Sequence, residues 1–153
     1  MTKMEICAYS PALRSFFKTL NEEWLNKYFM VEPYDAFLLE NCASEIIDKG
    51  GNIFFGKLNG VVIGTYALLA PVDGCVELGK MAITAAHQGK GYGQQLLQHA
   101  ISTAVALGHK EMLLYSNRKL ENSIYLYRKF GFNEVPNEDS PYERGDIKML
   151  LKL

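Results

Sequence analysis

Gln88-Gly-Lys-Gly-Tyr-Gly93 is the stretch on which the interpretation of this sequence depends. It stands between an apolar segment that ends at Ile83 and a long amphipathic pattern that begins at Tyr92. Glycines here permit a tight turn and the close approach of a ligand, while the free N–H groups and the dipole of a helix start attract negative charge. The turn is therefore predicted to bind a phosphate or pyrophosphate, although glycines can also serve only to turn the chain.

Two common nucleotide-binding motifs do not fit this turn. A dinucleotide fingerprint needs a third glycine three residues after Gly91, where this chain has Gln94. A P-loop needs Ser or Thr directly after its Gly-Lys pair, and no Gly-Lys pair in this chain is followed by either residue. Both nucleotide-binding folds are therefore excluded.

Hydrophobic periodicity on either side of the turn predicts an alternation of strands and helices. Strands are predicted at 4–8, 53–55, 61–63, 76–83, 112–115 and 147–153, with one more near 132–135. Helices are predicted from residue 11 to about 28 and at 33–39, 43–47, 92–107 and 121–130. Strands that pair locally in the first half and alternate with helices in the second half indicate an α/β fold with a mixed sheet covered by helices.

Composition limits the possible classes of protein. The 153 residues suit a single domain over 1–153, and 48% hydrophobic with 22% charged residues is typical of a globular protein. The formal net charge of -1 argues against binding to nucleic acid. No apolar stretch is long enough to cross a bilayer, so no membrane association is expected.

The cysteines and histidines indicate neither a disulfide framework nor a metal site. Cys7, Cys42 and Cys75 lie far apart and form no C-x-x-C pair, which favours a reducing, cytoplasmic location. The three histidines show no metal-ligand spacing, so no metal is expected.

Two motifs resemble those of a known family. The run Glu77-Leu-Gly-Lys-Met-Ala-Ile-Thr-Ala-Ala-His-Gln-Gly-Lys-Gly-Tyr-Gly93 resembles the acetyl-CoA signature of the GNAT superfamily of N-acetyltransferases, in which Q/R-x-x-G-x-G/A holds the pyrophosphate. Further on, Asn122-Ser-Ile-Tyr-Leu-Tyr-Arg-Lys-Phe-Gly-Phe132 looks like the second signature, a helix that carries L-Y and ends in G-F. The ending 141–149 is similar to GNAT domains that elsewhere follow a winged-helix regulator, for which these 153 residues hold no segment.

The resemblance implies a mostly antiparallel sheet of six to seven strands and a site for acetyl-CoA. The end of the fourth strand would bind the pantetheine arm, the turn would bind the pyrophosphate, and polar groups after the fifth strand would contact the arm. The residues implied are Met81, Ala82, Ile83, Gln88, Gly89, Lys90, Gly91, Tyr92, Gly93, Asn117 and Asn122. Helix capping explains Asn122 nearly as well.

The resemblance also implies two catalytic groups. Tyr127 matches the tyrosine that protonates the departing CoA thiolate, and the alternative is a core aromatic residue. Glu77 matches the glutamate that takes the proton of the amine, and the alternative is a strand residue that faces solvent. A carboxylate on a largely apolar strand tends to have a raised pKa, which suits a base at neutral pH.

The acceptor is expected between the early helices and the late loop, near Trp24, Tyr28, Phe29, Glu32, Tyr142 and Arg144. If Arg144 faces the pocket, it would favour an amine that also carries a carboxylate. The expected substrate is a small cytoplasmic amine, with a protein N-terminus or lysine second. A non-catalytic acyl-CoA sensor is the alternative from another class, and the expected state is a monomer or homodimer.

Overall fold

A computed structural model describes residues 3–153 of the chain as one seven-stranded sheet flanked by helices. The strands are β1 (Glu5–Ala8), β2 (Asn52–Leu58), β3 (Val61–Val72), β4 (Cys75–Ile83), β5 (Glu111–Ser116), β6 (Asn133–Val135) and β7 (Ile147–Lys152). The helices are α1 (Arg14–Tyr28), α2 (Pro33–Glu40), α3 (Tyr92–Ala106) and α4 (Glu121–Lys129). The predicted order of elements is confirmed.

The sheet is mixed and mostly antiparallel, in the order β1-β2-β3-β4-β5-β7-β6. Its one parallel pairing is short, because β4 and β5 pair only from Cys75 with Glu111 to Glu77 with Leu113. Past Glu77 the two strands diverge, and a cleft opens between them. β7 then closes the other half of the sheet, antiparallel to both β5 and β6.

Helices cover both faces of the sheet, because neighbouring residues of a strand point to opposite sides. On one side, Ile63 and Tyr66 of β3 join a core that includes Leu96 and Leu97 of α3. On the other side, Ala67 joins a core that includes Phe17 of α1 and other buried residues of α1 and α2. The amphipathic patterns that predicted these helices therefore match the faces that they bury.

A β-bulge in β4 changes which face its residues present. The β3–β4 register shifts between Thr65 and Ala67, and Lys80 adopts φ 54° at that point. Leu78 before the bulge joins the core beside α3, whereas Ala82 after it joins the core beside α1. Simple alternation along β4 would place both on one face, so the extra residue reverses the pattern.

The main errors of the sequence prediction concern β3 and the residues after α2. β3 runs to Val72 rather than ending at Ile63, because Gly64 does not break the strand. A side chain at Gly64 would meet the Ile83 side chain at 2.6 Å, so the glycine allows close packing. The predicted helix at Ala43–Ile47 is a single π-helical turn. The first helix begins with a short 3₁₀ turn over Pro11–Leu13, and α1 itself starts at Arg14.

Within residues 3–153, no helix is both long and apolar enough to cross a membrane. The same residues contain no group of three or more His, Cys, Asp or Glu side chains placed to hold a metal ion.

Candidate active site

The cleft between β4 and β5 has a volume of about 570 Å³. Its floor is formed by the two diverging strands, and its walls by the end of α1, the glycine turn (residues 88–93), the start of α4 and the loop between β6 and β7, called here the 136–146 loop. Most of the predicted site residues line it, namely Trp24, Tyr28, Phe29, Glu77, Met81, Ala82, Ile83, Gln88, Gly89, Gly93, Asn117, Asn122, Tyr127, Tyr142 and Arg144. The others, Glu32, Lys90, Gly91 and Tyr92, lie next to these residues in the chain or in space.

The glycine turn directs the start of α3 at the cleft. Gly89 has φ 73° and Gly91, the N-cap of α3, has φ 86°, conformations that glycine adopts without steric cost. The first-turn N–H groups of a helix have no partner within the helix, so the turn offers them to an anion. The side chain of Tyr92 is buried in the core, so only its main chain is available, and Lys90 is exposed.

Gly93 borders open space at the start of α3. It lies in the first turn of α3 with an ordinary helical φ, and a Cβ atom built there meets no atom of residues 3–153 within 4 Å. Glycine lowers helix stability, so neither packing nor conformation explains this residue. Close approach of a ligand to the main chain does explain it, and this observation fits the pyrophosphate of CoA.

The Gln88 side chain hydrogen-bonds to the two elements beside the glycine turn, the end of β4 and α1. Its Nε2 donates to the carbonyl oxygen of Ile83 at 3.0 Å, and its Oε1 accepts from the Tyr28 hydroxyl at 2.7 Å and from Lys27 at 3.3 Å. Gln88 therefore fixes the glycine turn to the end of β4 and to α1.

The second half of β4 offers an open strand edge. From Leu78 to Ile83 the strand pairs with β3 but no longer with β5. Main-chain groups that a complete sheet would pair with β5 therefore face the cleft. An extended amide chain such as pantetheine can hydrogen-bond to such an edge, which fits the predicted role of Met81, Ala82 and Ile83.

Tyr127 lies on α4 where that helix lines the cleft. Its ring packs edge-on against Phe132 with ring centroids 5.8 Å apart, and burial raises the pKa of its hydroxyl to about 12. Within residues 3–153 this hydroxyl has no hydrogen-bond partner. The ring thus packs on the core while the side chain borders the cleft, which is compatible with both interpretations of the residue. Tyr125, by contrast, is 72% exposed.

Glu77 lies at the point where β4 and β5 separate. Its side chain is half-buried rather than solvent-facing, and burial raises the pKa of the carboxyl to about 7, although the charge of Lys80 opposes this rise. No side chain among residues 3–153 hydrogen-bonds to it. A carboxyl group that is about half ionised at neutral pH can accept a proton in that range.

The two asparagines differ in what holds them. The Asn117 side chain donates to the carbonyl oxygen of Arg144 at 2.8 Å and accepts from the N–H of Lys119 at 3.0 Å. Asn122 is exposed on the cleft wall, and the N-cap of α4 is Leu120. Helix capping therefore does not explain Asn122.

A buried ion cluster, made of Glu32, Asp35, Lys80 and Arg144, lies behind the acceptor side of the cleft. Asp35 is fully buried, pairs with Lys80, and accepts from both guanidinium nitrogens of Arg144 at 2.6 and 2.7 Å. Burial alone would raise the pKa of Asp35, but the hydrogen bonds from Arg144 and the charge of Lys80 outweigh it and hold that pKa below its usual value. Glu32 also accepts from Arg144 at 3.2 Å.

This cluster corrects the expectation for Arg144. Its guanidinium already contacts two carboxylates, so it offers no unpaired charge for the carboxylate of a substrate. Glu32 does not line the cleft and instead fastens the 136–146 loop, because its carboxylate accepts from the N–H groups of Glu143 and Arg144 at 2.9 and 3.3 Å. The expected preference for an amine that carries a carboxylate therefore has no support in this geometry.

Aromatic side chains make up the remaining acceptor wall. Trp24 contacts Tyr28 and Phe29 with ring centroids 5.1 and 5.9 Å apart. Tyr142 is buried, and the ammonium of Lys80 lies 4.4 Å from the centre of its ring. A small amine with apolar groups would find contact surface here.

Asp35 and Lys80, two of the four residues of the ion cluster, were not predicted from the sequence. A signal was present, because Lys80 is a second charge besides Glu77 in a largely apolar strand and Asp35 follows the helix-starting Pro33. The partners are 45 residues apart, so nothing local connects them.

Comparison with known proteins agrees with this geometry. The model of the "Acetyltransferase (GNAT) family" matches residues 13–132. The uncharacterized N-acetyltransferase YvbK of Bacillus subtilis is 30% identical over 104 residues, which are 66% of this chain and 67% of that protein.

Solved structures share the fold over the whole chain. An acetyltransferase of the GNAT family from Staphylococcus aureus Mu50 superposes with a TM-score of 0.85 at 18% identity, covering 98% of this chain and 99% of that one. The PaiA N-acetyltransferase of Thermoplasma acidophilum, solved in complex with coenzyme A, gives a TM-score of 0.78 at 20% identity, covering 99% of this chain and 100% of that one.

Proposed function

The chain belongs to the acetyltransferase (GNAT) family, and from this we propose that it transfers the acetyl group of acetyl-CoA directly to the primary amine of a small metabolite in a ternary complex. The observation that carries the proposal is that Glu77, Tyr127 and the glycine turn all border one cleft. A donor site, a base and an acid thus lie within reach of a single bound pair of substrates.

Acetyl-CoA would lie along the open edge of β4. Its pyrophosphate would accept hydrogen bonds from the main chain of the glycine turn, and its pantetheine arm would follow Met81 to Ile83. Asn122 lies on the opposite wall, within the same cleft. The bound cosubstrate supplies an activated acyl group, and the protein supplies position and proton transfer.

Glu77 would accept the proton that the amine must lose, directly or through a water molecule. Its pKa of about 7 makes the carboxylate available near neutral pH. Main-chain N–H groups at the bulge of β4 would stabilise the negative charge that develops on the thioester oxygen. Tyr127 would give its proton to the departing sulfur, and its raised pKa keeps that proton in place until then.

The acceptor would enter from the side of α1, α2 and the 136–146 loop. Trp24, Tyr28, Phe29 and Tyr142 would contact its apolar part, while Glu32 and Arg144 would hold the loop in place. We propose a small amine rather than one with a second acidic group, because Arg144 is already paired.

The setting of this reaction is also part of the proposal. The net charge of -1 offers no attraction to nucleic acid or to an anionic membrane surface, and the three cysteines are unpaired, as in proteins of a reducing compartment. We therefore propose a cytoplasmic monomer or homodimer that needs no metal.

A screen of primary amines with acetyl-CoA, followed by free-thiol release, tests the proposal. Thiol release that depends on one group of small amines, with the N-acetyl product seen by mass spectrometry, is the expected result. Release with peptides alone would identify a protein N-acetyltransferase instead. Tight CoA binding without release on any amine or peptide would indicate a non-catalytic sensor.

A further inference from the structure

Lys80 occupies the most unusual position in the sheet. It lies in the bulge of β4 with φ 54°, a left-handed conformation that is unfavourable for a residue with a Cβ atom, and it is only 8% exposed. Strain of this kind persists where the surroundings hold it, and it is often found at functional sites. The bulge turns the Lys80 side chain toward α2, where its ammonium pairs with Asp35 and donates to the Tyr142 hydroxyl at 3.1 Å.

Glu77 leans toward this bulge. Gly79, which lies between the two residues, has no side chain, and Oε2 of Glu77 lies 3.6 Å from the position where a Cβ atom of residue 79 would stand. The carboxylate of Glu77 therefore lies above residue 79, in the direction of Lys80. Of the charges that act on Glu77, that of Lys80 has the largest effect.

Other groups face Glu77 from the neighbouring elements. They are Lys148 of β7, Asp139 and Tyr142 of the 136–146 loop, Tyr115 of β5, Tyr34 of α2, and Cys75 on β4 itself. Lys148 is committed elsewhere, because it pairs with Asp139 at 3.1 Å. Lys80 is thus the buried cation closest along the strand to the proposed base.

We propose that Lys80 is a positioning residue for Glu77: its buried ammonium, held in place by Asp35 and Tyr142, supplies the positive charge that allows the half-buried carboxylate of Glu77 to ionise and draws it toward the bulge of β4. This inference rests on the function proposed above. It also gives Asp35 a role, because a buried lysine without a carboxylate partner tends to lose its proton.

Arg144 provides a matched control. It shares Asp35 with Lys80, so removing either cation disturbs the same buried cluster. Its guanidinium, however, lies between Asp35 and Glu32 and is not among the main charges acting on Glu77. If the cluster had a purely structural role, loss of Lys80 and loss of Arg144 would change the titration of Glu77 equally. In the proposed role, only loss of Lys80 changes it.

The test is a titration of the Glu77 side-chain carboxyl by NMR in the unliganded full chain, with Glu77→Gln to assign the signal. In the wild type the midpoint is expected at about 7. Lys80→Met should raise that midpoint by about one unit or more, because the opposite charge is lost. Lys80→Arg, which keeps the charge, and Arg144→Met should leave it near the wild-type value.

A kinetic readout should move in parallel. With a weakly basic acceptor amine that is unprotonated across the range, the acidic limb of kcat/KM reports the free enzyme, and Lys80→Met should shift it to higher pH by the same amount. If Lys80→Met does not fold, Lys80→Gln removes the same charge, can still donate to Asp35 and carries the same expectation.

The inference is overturned if the Glu77 midpoint stays in place in the neutral Lys80 variants, or if Arg144→Met raises it equally. Neither result depends on turnover, so both are distinguishable from failure of the proposed function. That failure would appear as an absence of amine-dependent thiol release in the wild type.

Discussion

The glycine turn presents main-chain N–H groups to the cleft, whereas the acceptor side, from the 136–146 loop to α2 behind it, is built from side chains that are already paired with one another. On the first side the turn is built from small residues, and at Gly93 it borders a space that no described residue fills. On the second side, Asp35 and Arg144 hold together elements that are 109 residues apart. One wall is therefore suited to a constant ligand, and the other is held in a fixed shape by a buried ion cluster.

The two sides therefore respond differently to substitution. Main-chain contacts depend on backbone conformation and tolerate many side-chain changes nearby. The acceptor wall depends on a few charged side chains, so a single substitution there alters both shape and charge. Glu77 and Tyr127 lie between the two walls, where the acetyl group would pass.

Tyr127→Phe should have the largest effect. General-acid catalysis by a positioned group contributes roughly a hundred- to ten-thousandfold, so kcat should fall by that factor, or about 3 to 5 kcal/mol of barrier. The ring still packs on Phe132, so CoA affinity and melting temperature should stay near the wild-type values. Tyr125→Phe on the exposed face of α4 is the matched control. Full activity in Tyr127→Phe would show that Tyr127 packs in the core and is not a general acid.

Asp35→Ala should have an effect of similar size, but on the free energy of unfolding rather than on the activation barrier. Removing one partner of a buried ion pair costs about 3 to 5 kcal/mol, because it leaves Lys80 and Arg144 buried without their shared carboxylate. The exposed pair of Glu40 with Lys18 is the control, and Glu40→Ala should cost much less, because water already screens that pair. Urea unfolding of both variants measures the difference, and equal losses would show that the cluster does not hold the acceptor wall.

The pairing of Asp35 with Lys80 and Arg144 also predicts how the stability of the folded protein depends on pH. The pKa of Asp35 is held below its ordinary value in the folded protein, so its contribution is complete above the unfolded value of about 4 and is lost as pH falls through the lower folded value. The stability difference between wild type and Asp35→Ala should therefore be constant near neutral pH and shrink in acid. A difference that instead grew in acid would contradict the assigned direction of the shift.

Glu77→Gln should have a smaller effect, because water can replace a base in part. We expect kcat/KM at neutral pH to fall roughly ten- to a hundredfold and the acidic limb of its pH profile to disappear. In the wild type, activity should fall as pH drops through about 7, where the carboxylate takes up its proton. Survival of that limb in the variant would assign deprotonation of the amine to another group.

Gly93→Ala should have the smallest effect and the most selective one. The new methyl group would enter the open space beside the start of α3, where we propose that the pyrophosphate lies. CoA binding should therefore weaken about tenfold, or about 1.4 kcal/mol, in calorimetry. Alanine is favoured over glycine in a helix by up to about 1 kcal/mol, so the melting temperature should not fall. Gly91 is less informative, because its φ of 86° means that a side chain there would also strain the fold. Unchanged CoA affinity in Gly93→Ala would place the pyrophosphate elsewhere.

The side of the cleft formed by the end of β4 and the glycine turn could be predicted from the sequence, because the residues that determine it are close together in the chain. The glycines, most of the preceding strand and the start of the following helix fall within 77–93, and the structure has these elements in the predicted order. The order of elements followed from periodicity for the same reason. The errors arose where packing overrides a local signal, as at Gly64, which indicated a break but allows β3 to pack closely against Ile83.

The acceptor side of the cleft could not be predicted, because the residues that determine it are far apart in the chain and their contacts depend on the bulge in β4. Alternation along β4 gives no reason to turn Lys80 toward α2, and that turn comes from one extra residue in the register. Arg144 was expected to face a substrate, but its partners Glu32 and Asp35 lie more than a hundred residues earlier. Charges in an apolar strand indicate a buried partner, yet the sequence does not say which residue it is.

Direct transfer within one cleft is the central claim, and the mass of the protein after incubation with acetyl-CoA tests it most directly. Without an amine, we expect no thiol release and an unchanged protein mass; with a suitable amine, thiol and N-acetyl product should form in equal amounts while the protein mass still does not change. A stoichiometric burst of thiol without amine, with one acetyl group added to the protein, would contradict direct transfer and require an acetylated side chain as an intermediate.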